Sequence, residues 1–171
     1  MNDPGSAWEA LRDPDAAEPQ FEMAGWVALA PFERLCDMEL VEACDGRCRL
    51  RMPFKVKHAQ GGGLMHGGAL TALADTAVAL AVKTRVAPGT TFVTRELSCR
   101  FHAPVRRGMV EARARIVRFE GRDVDARAEV LDGDGRLVVS FSAQFRVLRD
   151  DGAPPDPRRW AGRERVPPGG R

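Results

Sequence analysis

Between Gly67 and Val82 the chain carries one charged residue, Asp75, in a run otherwise made of Ala, Leu, Val, Thr and Gly. Ala and Leu favour helix, so the spacing predicts a helix from about Gly67 to Thr84. Such a helix is apolar on nearly every side and has to be covered. The run is too short to span a bilayer, and Asp75 interrupts it. Whatever this chain folds into must wrap a helix of this kind.

The wrapping material is legible. After Pro88-Gly89 the apolar period changes from helical to two. Val93, Leu97, Cys99 and Phe101 are expected on one face of a strand, with Thr94, Glu96, Ser98 and Arg100 on the other. Val110, Ala112, Ala114 and Ile116 alternate with polar neighbours in a second strand. Val124, Ala126, Ala128 and Val130 do so in a third, and Leu137, Val139, Phe141, Ala143, Phe145 and Val147 in a fourth. Asp132-Gly133-Asp134-Gly135 is a strong hairpin signal. Ahead of the helix, residues 38–44 and 47–56 flank the turn Asp45-Gly46 and read as another hairpin. Residues 26–36 predict a short helix broken by Pro31. The expected class is α+β, an antiparallel sheet wrapped around one long helix.

With 171 residues, 44% of them hydrophobic, one domain with a real core is expected. The domain should run over 25–149, with a mobile N-terminal extension over 1–24. A Pro- and Arg-rich disordered tail is expected over 150–171. The net charge of +2 is too small to point to nucleic acid. Cys36, Cys44, Cys48 and Cys99 form no CxxC pair, and no metal-ligand spacing is present, so no metal is expected. The N-terminus lacks a basic region followed by an apolar stretch. A cytoplasmic protein with reduced thiols, not associated with membranes, is expected.

Three features coincide at the start of the helix. Gly67 and Gly68 permit close approach to the backbone. The first N–H groups of a helix are unpaired and partly positive, suited to holding a developing oxyanion. Asp75 is a carboxylate in apolar surroundings and needs either a partner or a task. Read from these residues alone, Gly-Gly also suits a plain turn, and Asp75 also suits a structural hydrogen bond. His66 suits a helix cap.

The stretch Gly63-Leu-Met-His66-Gly67-Gly68-Ala-Leu-Thr-Ala-Leu-Ala-Asp75-Thr resembles the signature of the hotdog-fold PaaI-like (phenylacetate-pathway) thioesterases. The resemblance extends over about 30–148, through Val93 to Phe101 and the turn ending at Gly108. It implies an acyl-CoA thioesterase in which the Gly67 N–H holds the thioester oxygen and Asp75 is nucleophile or general base. By the same resemblance Thr94 and Gln60 place water or the substrate carbonyl, and His66 supports the helix start. Gln60 stands where many members have Asn. The substrate's coenzyme A phosphates suit Arg106, Arg107 and Arg122, with Gly68 beside the ligand. No separate cofactor is implied. The family places its site between subunits, which implies that Asp75 faces Gly67 and Gln60 of a neighbouring chain, so a homodimer or dimer of dimers is expected.

Two other classes compete. A hotdog hydratase would pair its acid with a His five residues on, where this chain has Leu80. A non-catalytic acyl-CoA-binding module would be expected to carry an output domain, and the flanks of the expected domain are short.

Overall fold

The computed structural model describes residues 23–148, so the expected C-terminal tail and all but the last two residues of the N-terminal extension lie outside the described residues. Met23 is already buried, and the Trp26 indole donates to the Lys83 carbonyl at 3.0 Å. The elements are α1 (Pro31–Leu35), β1 (Glu39–Cys44), β2 (Arg47–Pro53), α2 (Gly67–Lys83), β3 (Phe92–Phe101), β4 (Met109–Glu120), β5 (Asp123–Leu131) and β6 (Leu137–Val147). A short 3-10 turn, Val56–His58, follows β2.

The six strands form one antiparallel sheet in the order β1-β2-β4-β5-β6-β3. α2 crosses one face of it, packing on β2, β4 and β5 and less on β6. This is the hotdog fold. The core lies between helix and sheet. Leu73, Ala74, Ala77 and Val78 meet Leu50, Val110, Ala112, Val124 and Val130, all fully enclosed. The small side chains of α2 let the helix sit close to the sheet, where burial contributes about 25 cal/mol per Å² of apolar surface. No helix among the described residues is long and apolar enough to cross a membrane.

Two local expectations change. Pro31 starts α1 instead of breaking a helix. Its missing N–H and fixed φ suit the first helical position, where no intrahelical bond is lost. The second change matters for the site. In β3 the register runs Thr94↔Phe145 and then Glu96↔Gln144, so Arg95 is an extra, bulged residue. The alternation resets there. Thr94 joins Leu97, Cys99 and Phe101 on the face towards α2, and Val93 turns to the opposite face with Glu96. Re-aiming of side chains is what a bulge does to a strand.

Candidate active site at the start of the long helix

The chain reaches α2 through a tight loop. The Gln60 N–H donates to Leu64 O and the Gly63 N–H to Gln60 O, with Gly63 at φ +75°. Two further bonds clamp the loop. The His66 N–H donates to His58 O at 2.7 Å, and the Met65 N–H to Val105 O at 2.9 Å. The first fixes the entry direction of α2. The second ties the turn that carries Arg106 and Arg107 to the helix start. Both arginines are exposed there and make no ion pair with a described residue.

His66 is the N-cap. Its Nδ1 accepts from the Gly68 N–H at 2.8 Å. A Cβ on Gly68 would lie 2.9 Å from that nitrogen, so the ring can approach only because residue 68 is glycine. Ala69 and Leu70 donate to His66 O. Of the first four N–H groups of α2, only that of Gly67 has no acceptor among the described residues. One donor with helix-terminus polarity is therefore left for a ligand. The Phe101 ring lies against it, 3.2 Å from where a Gly67 Cβ would stand.

Asp75 stands eight residues further on, roughly 12 Å along the axis. Its Oδ1 is buried without a hydrogen-bond partner. Burial pushes the Asp75 carboxyl above the ordinary carboxylate range, and the negative charge of Glu33 adds to the shift. Glu33, on α1, likewise has a buried and unpartnered oxygen, Oε2. The reading of the sequence did not single it out. A five-residue helix beside a proline gives no periodic signal strong enough to mark which side chain turns inward.

The protomer does not bring every candidate together. Gln60 folds back on its own loop, its Oε1 accepting from the Gly62 N–H. Thr94 and Phe101 are opposite Phe145 and Val139 of β6, six residues apart, so roughly 20 Å separates Thr94 from the Gly67 end. Arg122 is further still. Its carbonyl accepts from the Val147 N–H, eight residues along β6 from Val139, roughly 27 Å away. A second histidine went unremarked. His58 is buried, its Nδ1 is 2.7 Å from Pro53 O, and its Nε2 has no partner. Among the described residues no three His, Cys, Asp or Glu side chains are grouped to hold a metal ion. All four cysteines are free thiols, with burial pushing Cys48 up to about 12.

A donor aimed outward at a helix start can polarise a carbonyl, and a carboxylate of raised proton affinity, here about two turns further along the helix, can accept a proton from water. Known proteins are similar to this chain. A family model described as the Thioesterase superfamily matches residues 62–139. A protein of Halobacterium salinarum, provisionally named an esterase, is 32% identical over 121 residues, covering 64% of this chain and 80% of its own. Another of Saccharolobus solfataricus, named in the same way, is 26% identical over 116 residues, covering 68% and 82%. Among solved structures, a mutant of the phenylacetic acid degradation protein PaaI from Thermus thermophilus is 31% identical. It covers 70% of this chain and 100% of its own, with a TM-score of 0.65. A conserved protein from Pseudomonas aeruginosa is 30% identical, covering 70% and 95%, with a TM-score of 0.67.

Proposed function

This chain is a hydrolase of the hotdog-fold thioesterase superfamily, and on that premise we propose that it cleaves an acyl-CoA thioester into a free acid and coenzyme A. The observation that carries the reading is the unengaged Gly67 N–H at the start of the same helix that bears the half-buried Asp75, whose Oδ1 is unpartnered. The thioester oxygen takes the Gly67 N–H. Water adds to the carbonyl carbon as Asp75 of a second copy takes its proton. The C–S bond then breaks, and the thiolate leaves and is protonated. Losing one such oxyanion donor typically costs about 2.7–4 kcal/mol of transition-state stabilisation.

The site is completed by a second copy. β3 is an edge strand ten residues long, with Leu97 and Phe101 47% and 52% exposed. A long apolar edge of this kind invites pairing. A two-fold axis through the middle of β3 sets the Thr94 half of one strand beside the Cys99–Phe101 half of the other. Cys99 touches α2 near its start, its Sγ 3.5 Å from the Thr71 hydroxyl. Thr94 and Arg122 of each chain then approach the Gly67 end of the other. Arg106 and Arg107 flank the same mouth and suit the phosphates of coenzyme A.

The test is hydrolysis of a panel of aryl, short-chain and medium-chain acyl-CoA thioesters, read as free thiol, for the wild type and Asp75→Asn. We expect kcat on the best substrate to fall by about 10²-fold or more, with an unchanged oligomer and an equal or higher Tm. Near-wild-type turnover of Asp75→Asn would remove Asp75 as catalyst, and no hydrolysis of any thioester by the wild type would favour a binding module.

A further inference from the structure

The face of the sheet turned away from α2 holds a concave groove of about 1090 Å³, with a row of three arginines across it. Arg47 on β2 stands directly opposite Arg115 on β4, and Arg115 directly opposite Arg127 on β5. Like charges opposed across neighbouring strands destabilise a sheet. None of the three makes a hydrogen bond or ion pair with a described residue. The next two rows on the same face show what compensation looks like. There Glu111, 8% exposed, takes Arg49 at 3.1 Å, Arg51 at 2.8 Å and Arg113 at 2.8 Å. That carboxylate is saturated and has nothing left for Arg47, Arg115 and Arg127.

We propose that this groove binds a nucleoside phosphate, with the Arg47–Arg115–Arg127 row receiving the phosphates. Strand spacing puts the three stems about 4.8 Å apart, so one ligand is within reach of all three. Arginine's planar fork of donors suits phosphate oxygens in paired hydrogen bonds, which a row of lysines would not offer. The row continues on β6 and β3 as Ser142 and Ser98, opposite Arg127 and then each other, and both line the groove. Their hydroxyls suit a sugar. Glu42 and Glu129 also line the groove and repel a longer anion. Together with a net charge of only +2, they favour a small ligand over a nucleic acid strand. The groove lies across the sheet from Gly67 and Asp75, so this site is separate from the proposed hydrolytic one, and either reading can fail without the other.

The test is isothermal titration of the full chain with adenosine 3′,5′-diphosphate, ATP, inorganic triphosphate and a short single-stranded RNA, alongside Arg115→Ser and Arg115→Lys. Arg-dependent binding of either nucleotide supports the site. A preference for adenosine 3′,5′-diphosphate identifies the nucleotide end of coenzyme A as the source, and a preference for ATP a free nucleotide. Arg115→Ser should weaken binding at least about tenfold, and Arg115→Lys should weaken it less. The ligand-free Arg115→Ser protein should melt at an equal or higher temperature, because a repulsion is removed. The proposal is overturned if neither nucleotide binds, if Arg115→Ser binds like the wild type, or if RNA or bare triphosphate binds more tightly than both nucleotides.

Discussion

Gly67 and Phe101 are in contact: a β-carbon on Gly67 would stand 3.2 Å from the tip of the Phe101 ring. The ring therefore sets how much room remains beside the one unengaged N–H of α2. Gly67→Ala should push ring and helix start apart by a few tenths of an ångström. We expect kcat/KM to fall about tenfold or more, since small displacements at a reacting centre are costly. Gly67→Ala combined with Phe101→Leu should recover part of the loss. A double variant no better than Gly67→Ala would show that the ring is not the obstacle.

Asp75 and Glu33 are coupled through charge as well as burial. If Asp75 acts as base, the acid limb of kcat/KM should lie above the ordinary carboxylate range. Glu33→Gln should move that limb to lower pH while leaving Asp75 in place. A pH–rate profile of the two proteins is the check, and an unmoved limb would separate Glu33 from the site. The sign for stability is opposite to the usual carboxylate case. The folded chain keeps the Asp75 proton to higher pH than the unfolded chain. Its contribution is fully present below the ordinary Asp value and is lost as pH rises through the raised one.

Glu111 behaves the other way. Burial alone would raise its carboxyl, but hydrogen bonds from Arg49, Arg113 and Arg51 outweigh it and hold the group down to about 2. The stability it contributes is complete above the ordinary Glu value and fades as pH falls towards about 2. Glu111→Gln should cost about 1–3 kcal/mol near neutral pH, because it leaves buried hydrogen-bonding capacity poorly matched. The deficit relative to wild type should shrink in acid. Urea denaturation at pH 7 and pH 3 measures both.

Leu97 tests the second copy. Leu97→Glu puts a charge at the centre of the exposed β3 edge, where the proposed pairing would bury it. Light scattering should show a smaller species, and hydrolysis should fall with it. A monomeric wild-type protein that hydrolyses thioesters would instead mean that one chain holds a whole site.

The long helix was legible because composition alone determines it: Ala and Leu in number, one charge ahead of its last residue, and glycines at its start. The Asp45-Gly46 hairpin was legible for a backbone reason, since φ is +45° and +72° there, which Asp and Gly tolerate. The facing of Thr94 and Val93 was not. Nothing in the chemistry of Arg95 marks it as the extra residue, and strict alternation put Thr94 and Val93 on the wrong side. Glu33 escaped for a related reason, because its importance lies in an approach to Asp75 from a distant element. Local pattern carries which residues form a strand, and only the pairing partner carries where the count slips.

That slip has a consequence for editing the gene. Removing one residue from the middle of a strand ordinarily turns half of it inside out. In β3 the loss of Arg95 would restore plain alternation, leaving Thr94 opposite Phe145 and Glu96 opposite Gln144. All that goes is an exposed ion pair with Asp123 at 3.9 Å, worth little in water. Deleting Leu97 instead would heal the same count by drawing the Glu96 carboxylate to the helix side in its place. Two single-codon deletions, two positions apart, should therefore give a nearly silent protein and a damaged one.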